Sequence, residues 1–161
     1  MTRIIVFTLS LIIPVGAPTT AIAAGPDHIK LYTVKRDFET VKEDIGIAIA
    51  NQGLVVDHTS NVSAMLERTG KDLGTTKQVF GNAGSMQFCS AGVSRRTVEA
   101  DPSNIAFCPY IIFYYTLPQD PKTVYVGYRR PLSSGPKASR AALREIETLL
   151  DAIVKEGLNI K

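Results

Sequence analysis

The chain has 161 residues, with 18 lysines and arginines against 15 aspartates and glutamates, which gives a formal charge of +3 at pH 7. A charge this small argues against nucleic acid or an anionic lipid surface as the partner. The length suits one globular domain, and neither an internal repeat nor a low-complexity tract suggests another architecture.

The first residues follow the pattern of a secretory leader. Arg3 precedes an apolar run from Ile4 to Val15, and small residues ending in Ala21 to Ala23 follow. This pattern predicts a signal peptide over residues 1–23, cut before Ala24. The apolar run is shorter than the ~20 residues that a membrane span requires.

Cleavage would leave residues 24–161 as a single exported domain, periplasmic in a Gram-negative source or otherwise secreted, without a stable membrane span. Loss of Arg3 with the leader lowers the formal charge from +3 to about +2. We therefore expect a soluble exported domain whose partner is a small ligand or a periplasmic protein.

The mature chain begins with two strand and helix pairs. His28 to Lys35 alternates β-branched and aromatic residues and predicts a strand. The next segment runs from Asp37, a suitable N-cap, to Gly53, and its apolar residues recur at helical spacing: Phe38, Val41, Ile45 and Ile49. Leu54 to Ser60 predicts a second strand. A shorter helix after it is expected to place three residues on its inner side: Val62, Met65 and Leu66.

The middle of the chain is less regular. Residues 75–90 predict a bent strand or two short ones, because Gly81 and Gly84 interrupt the apolar pattern. Residues 91–104 predict a helix that ends near Asp101 and Pro102. Residues 105–117 are almost continuously apolar and predict a central strand buried on both faces or nearly so. Pro109 would lack a ladder hydrogen bond, so this strand should start at Tyr110.

The last part predicts a hairpin and a helix. Pro118 to Lys122 suits a turn, and Thr123 to Pro131 alternates as a strand. The final helix has an apolar stripe formed by Leu143, Ile146, Leu149, Leu150 and Ile153. The element order βαβαβαββα predicts an α+β fold, a single two-layer domain with a mixed sheet of about five strands and helices mainly on one face.

Several motifs in the second half together resemble a known family. They are a cysteine at a strand end, a helix, an Asp-Pro turn, a Cys-Pro step before a β run, and a Tyr-Arg-Arg strand end. The pattern is similar to exported members of domain-of-unknown-function family 302, over roughly Ile29 to Leu158. The resemblance implies a compact α/β domain and no assigned reaction. It marks these positions as candidates without roles: Cys89, Cys108, Pro109, Tyr128, Arg129 and Arg130.

Cys89 and Cys108 have three interpretations. Two cysteines of an exported domain most often pair, and closing a loop of about 20 residues would stabilise the fold by ~3 kcal/mol. They are otherwise two separate buried thiols, or a functional thiol or exchanging pair. The last hypothesis rests on Cys89, because the N-terminus of the following helix would lower its pKa. No C-x-x-C motif is present, which disfavours thioredoxin-type chemistry.

Metal and cofactor signals are weak, and we predict neither. Cys108 and Pro109 form a dipeptide found at some thiolate haem sites, and Met86 and Cys89 are soft ligands for monovalent copper. Strand alternation places Met86 and Cys89 on opposite faces, which argues against joint coordination. The two histidines, at positions 28 and 58, are isolated in sequence.

The two arginine pairs, Arg95 with Arg96 and Arg129 with Arg130, have two interpretations. They belong to a solvated face, as most charged residues do, or one arginine of each pair converges with Tyr128 on an anion. The remaining tyrosines are expected mainly in the core and in cross-strand pairs, with one exposed face available for docking. These tyrosines are Tyr110, Tyr114, Tyr115 and Tyr125.

No serine-hydrolase, zinc-protease, P-loop or dinucleotide motif is present in the sequence, so an enzyme is the minority hypothesis. The leading hypothesis is a small exported binding or accessory domain that uses the face carrying Tyr128, Arg129 and the helix from residue 91. The alternative is a thiol/disulfide-active protein that handles redox or sulfur compounds with Cys89 and Cys108. The third hypothesis is a self-associating structural protein, a homo-oligomer, for which an exposed apolar patch would be the indication.

Overall fold

A computed structural model describes residues 27–131 and 135–160, so the predicted leader lies outside the described residues. In chain order the elements are β1 (Ile29–Lys35), α1 (Phe38–Asn51), β2 (Val56–Asn61), α2 (Val62–Asp72), β3 (Ala83–Phe88), α3 (Ala91–Ala100), a 3₁₀ helix (Pro102–Phe107), β4 (Tyr110–Leu117), β5 (Asp120–Arg129) and α4 (Lys137–Leu158). The predicted order of strands and α-helices is confirmed, and β4 starts at Tyr110 as Pro109 requires.

The five strands form one sheet in the order β1-β5-β4-β3-β2, and every neighbouring pair is antiparallel. The prediction of a mixed sheet is wrong in this detail. The register places Phe88 opposite Tyr110, so β3 ends where β4 begins. α3 and the 3₁₀ helix therefore connect two strand ends that lie at the same end of the sheet. A parallel pair of strands would need a crossover connection to the opposite end.

α1 begins and ends where its local chemistry requires. The side chain of Asp37 accepts a hydrogen bond from the backbone N–H of Thr40 at 2.9 Å, which satisfies one free donor of the first turn. Gly53 follows the helix with φ of 71°, a conformation that glycine adopts without strain. Val41, Ile45 and Ile49 lie between these ends, fully buried on one stripe as predicted.

α4 packs against α1 at very close range. A Cβ atom built on Gly157 would lie 2.6 Å from Cδ1 and 3.0 Å from Cα of Ile45. Only glycine fits at this crossing, and α4 can therefore bury its predicted stripe against α1 and the sheet. The buried members of that stripe are Leu143, Ile146, Leu150 and Ile153.

The helices cover one face of the sheet. β4 alternates along its length, with Tyr110, Ile112 and Tyr114 buried and the residues between them half-buried. The prediction that this strand is buried on both faces is therefore wrong. We call the second face the open face, and it carries these half-buried apolar side chains: Leu31, Ile111, Phe113, Tyr115 and Tyr125.

α2 packs less closely than predicted. Met65 and Leu66 were expected on its inner side, but they are 41% and 36% exposed. The helix approaches the start of β3, where the Ser63 hydroxyl accepts a hydrogen bond from the Ala83 N–H at 3.1 Å. None of the helices in the described ranges has the length and hydropathy that crossing a membrane requires.

Candidate functional site

The structure joins Cys89 and Cys108 in a disulfide with an S–S distance of 2.23 Å and a Cα–Cα distance of 6.3 Å. Their proximity follows from the fold, because each cysteine lies just beyond the paired ends of β3 and β4. Both residues are half-buried. The pairing that the sequence favoured is present, and the structure leaves its role as a staple or an exchanging pair untested.

A polar group lies beside one of the two sulfurs. The Ser94 hydroxyl donates to Sγ of Cys108 at 3.8 Å and lies 2.9 Å from the hydroxyl of Tyr110. Burial raises the pKa of Tyr110, so this phenol stays neutral at physiological pH. A hydroxyl in this position would donate a hydrogen bond to a Cys108 thiolate if the disulfide were opened.

The four arginine candidates do not converge. Arg95 pairs with Glu99 one turn later on α3, and Arg96 reaches across to Glu145 of α4. Nε of Arg130 donates to Oε1 of Glu147, also on α4, at 2.7 Å.

Arg129 follows the alternation of β5 onto the open face, where it is exposed and has no ion-pair partner among residues 27–131 and 135–160. The anion site that sequence reasoning considered is therefore not assembled.

Tyr128 belongs to a cluster that sequence reasoning missed. Its hydroxyl and that of Tyr32 both donate to Oδ1 of Asp151, the Tyr128 bond measuring 3.0 Å. Nζ of Lys155 lies 3.0 Å from Oδ2 of the same carboxylate. Tyr32 and Tyr128 are 119 and 23 positions from Asp151 in the sequence. No local sequence motif therefore indicates the cluster.

The cluster fixes its own protonation state. Burial alone would raise the pKa of Asp151, but hydrogen bonds from Tyr32, Lys155 and Tyr128 outweigh it and hold this pKa below its usual range. Burial, followed by the hydrogen bond and the charge of Asp151, raises the pKa of both tyrosines. Asp151 is therefore ionised at neutral pH and accepts hydrogen bonds from two neutral phenols. This arrangement suits a role in stability better than a role in proton transfer.

A polar groove of about 410 Å³ runs between α1 and the end of α4. Its charged residues are engaged with each other: Arg36 binds Asp44 and the carbonyl oxygen of Gly157, and Asn51 donates to Glu156 at 2.7 Å. The groove therefore presents paired groups to solvent and offers no converging free donors to a ligand.

The open face is the largest uninterrupted set of aromatic side chains that the helices leave uncovered in the described part of the chain. The rings of Tyr115 and Tyr125 stack with centroids 4.8 Å apart and an interplanar angle of 3°. Phe113 stacks on Tyr115 at 6.3 Å, and Phe80, from the segment before β3, packs on its other side at 5.3 Å. The antiparallel register places these residues on neighbouring strands, so the rings form one continuous surface.

Metal ligands are not grouped in this fold. Across residues 27–131 and 135–160, no three histidine, cysteine, aspartate or glutamate side chains lie close enough together to hold a metal ion. Met86 is buried in the core, so it is not available as a surface ligand either.

The fold and the motifs define a two-layer α+β domain of a recognised family. The family described as "Domain of unknown function DUF302" matches residues 31–157, and the chain belongs to it. The crystal structure of an uncharacterized conserved DUF302 protein from Bacillus stearothermophilus is similar, with a TM-score of 0.68 and 16% sequence identity, covering 81% of this chain and 98% of that one. At this identity the likeness shows the fold alone. No curated protein matches the chain.

Proposed function

We propose that this protein is a small exported binding domain that engages a protein partner through the open face of its sheet. The observation that carries the proposal is the continuous surface formed by Phe113, Tyr115 and Tyr125. These side chains are half-buried and no helix covers them, and continuous apolar surface that reaches solvent is typical of interaction sites.

A protein partner suits this surface better than a small ligand. Small molecules bind in concave pockets that bury most of their surface, whereas the open face is one side of a sheet, and the groove of about 410 Å³ lies elsewhere, between α1 and α4. Tyrosine and phenylalanine are the residues that interfaces between proteins favour at their centres. Of the sequence-predicted ligand contacts, we place Arg129 at the rim of this site, because it lies on the same face and is exposed.

Export is part of the proposal and rests on the leader pattern. Arg3, the apolar run to Val15 and the small residues before Ala24 support secretion or release into the periplasm. The disulfide between Cys89 and Cys108 agrees with this, because such bonds persist in oxidising compartments. N-terminal sequencing of the protein recovered from its native cells tests the cut before Ala24.

Site-specific photo-crosslinking tests the binding site itself. The photoreactive residue p-benzoylphenylalanine replaces Tyr115 in the full chain, produced in its native cells. In a control chain it replaces Leu73, which is 79% exposed and caps the C-terminal end of α2. We expect one discrete protein adduct from position 115 and none from position 73. Equal labelling from both positions, or no adduct from position 115, would contradict the proposed site.

The thiol alternative keeps one specific observation in its favour, the Ser94 hydroxyl 3.8 Å from Sγ of Cys108. In such a protein an external thiolate attacks Cys89, forms a mixed disulfide with it, and releases Cys108 as a thiolate that Ser94 stabilises. Titration of the native protein with dithiothreitol separates the two functions. A structural bond resists reduction below about −300 mV until the protein unfolds, whereas an exchanging pair opens near about −200 mV. Ser94→Ala should lower the potential of an exchanging pair and leave a structural one unchanged.

A further inference from the structure

The charge distribution of the open face is the first indication of what binds there. Along the five strands, the residues whose pairing places them on this face include three with a full charge: Lys35, Arg129 and Asp120, which begins β5 opposite Leu117. Lys35 ends β1 and Arg129 ends β5, and because these strands are antiparallel neighbours, the two charges lie at opposite ends of the same margin. The centre is therefore neutral and gives no charge by which to select an acidic or a basic partner.

The size of the face is the second indication. Five strands at a spacing of about 4.8 Å, each paired over about six residues at ~3.3 Å, form a face of roughly 20 by 20 Å. Two such faces in contact bury on the order of 1,000 Å² once side-chain relief is included, near the lower limit for a specific protein interface. The face is thus large enough for one flat partner of similar dimensions and too small for a tight, permanent complex.

Within the chain, Phe80 of the segment before β3 already packs on Tyr115 of this face, and the other neighbouring segments are short. Cleavage before Ala24 would leave three residues ahead of Asp27, which reach about 10 Å when fully extended. Residues 132–134, between Pro131 and Gly135, are equally few. These few residues do not span a surface about 20 Å across, and we therefore consider a second molecule as its partner.

We propose that the partner on the open face is a second copy of this chain, packed sheet to sheet about a two-fold axis. The inference rests on the proposed function, since both use the same face. Two sheets pack face to face at about 10 Å with their strands nearly aligned, and a flat aromatic surface with a neutral centre is complementary to itself. Pairing buries Phe113, Tyr115 and Tyr125 of both copies and leaves Arg129 and Lys35 in solvent at the rim.

Sedimentation velocity of the purified mature protein over a range of concentrations tests this inference. We expect a monomer–dimer equilibrium whose dimer fraction rises with concentration, because the interface is small. Raising the salt to about 0.5 M should preserve the dimer, because the centre of the interface is apolar and carries no charge to be screened.

Tyr115→Arg should weaken the dimer by about tenfold or more, because it buries a charge at the centre of the interface. Leu31→Arg is the second variant on the same face, so that misfolding of one variant does not remove the test. Leu73→Arg adds the same charge to an exposed apolar site elsewhere and should dimerise as the wild type does. Circular dichroism shows which variants are folded.

A wild-type protein that stays monomeric, or folded Tyr115→Arg and Leu31→Arg variants that still dimerise, would overturn the second-copy inference. The photo-crosslinked adduct then separates it from the proposed function. An adduct from position 115 with twice the mass of the chain supports both. An adduct with a different protein supports the binding function and overturns the second copy, and the absence of any adduct overturns both.

Discussion

Asp151 is an ionised carboxylate in a half-buried position, and three donors from two strands and its own helix hold it there. A second tyrosine in the same layer offers a contrast. The hydroxyl of Tyr114 is buried and is the one side-chain polar atom in the described part of the chain that is buried without a hydrogen-bond partner. Two core phenols therefore contribute to stability with opposite signs.

The same chemical change should thus have opposite effects at the two sites. Tyr128→Phe removes a hydroxyl that binds Asp151 and should lower the free energy of unfolding by about 1–2 kcal/mol. Tyr114→Phe removes the unsatisfied hydroxyl and should leave the free energy of unfolding unchanged or raise it by up to about 1 kcal/mol. Urea unfolding at pH 7 measures both. Equal destabilisation by the two substitutions would show that the Asp151 bond contributes nothing.

The cluster should also give the fold a defined pH window. The folded pKa of Asp151 is lowered, so its contribution is complete above the unfolded value of about 3.9 and is lost as the pH falls below it. The folded pKa values of Tyr32 and Tyr128 are raised, so their contribution is complete below about pH 10 and is lost above it.

Asp151→Asn should therefore flatten the acid side of the stability curve. Urea unfolding between about pH 2 and pH 7 should show a smaller loss on acidification than the wild type shows. Part of the acid dependence should remain, because hydrogen bonds also lower the pKa of Asp37 and Asp101, and the bond from Arg96 lowers that of Glu145. Asp72→Asn, at an exposed site on α2, is the matched control and should follow the wild-type curve.

The sequence reached some of these residues and missed others for a physical reason. Cys89 and Cys108 could be paired because their positions at strand ends and the export context both pointed the same way. Asp151 could not be found, because its partner Tyr32 is 119 positions away and nothing local distinguishes it from an exposed helix carboxylate. Arg129 and Tyr128 could not meet at one site, because neighbouring residues of a strand point to opposite faces of the sheet. Arg96 lies on α3 and pairs with Glu145 instead.

At the scale of elements, the close crossing of α1 and α4 depends on glycine at position 157, which has no side chain. Gly157→Ala should lower the free energy of unfolding by about 1–3 kcal/mol, because the new methyl group meets the backbone as well as the side chain of Ile45. Gly92→Ala is the control, since a Cβ on this α3 residue lies 3.5 Å from Nη1 of Arg96, an ordinary contact. It should raise stability by up to about 1 kcal/mol through helix propensity. Thermal or urea unfolding compares the two, and a neutral Gly157→Ala would contradict this packing.

Helical periodicity predicted α1 and α4 well, because each has a wide apolar stripe, and α1 also has clear end signals in Asp37 and Gly53. It failed for α2, whose Met65 and Leu66 have helical spacing without a surface to bury against. It also could not say that the second face of β4 is uncovered. Ile111, Phe113 and Tyr115 are as apolar as a buried set, and a sequence shows hydrophobicity without showing what covers it.

At the scale of the molecule, the disulfide joins the ends of two central strands. The double variant Cys89→Ser with Cys108→Ser should lower the free energy of unfolding by ~3 kcal/mol, since it releases a loop of about 20 residues in the unfolded chain. Urea unfolding should remain a single transition with a lower midpoint, because the sheet is one cooperative unit. An unchanged midpoint would show that the disulfide does not stabilise the fold, and disulfide exchange would then be the explanation for the pair.

Four carboxylates of α4 connect it to the rest of the domain: Glu145 binds α3, Glu147 binds the residue after β5, Asp151 binds β1 and β5, and Glu156 binds the last residue of α1. α4 is also the last of the described elements to leave the ribosome. β1 and α1 are therefore made first but cannot complete their packing on the covered face until α4 has been made. A chain built in this order cannot close the covered face until α4 has been made, and under the proposed export this delay would keep it competent for passage through a secretion channel.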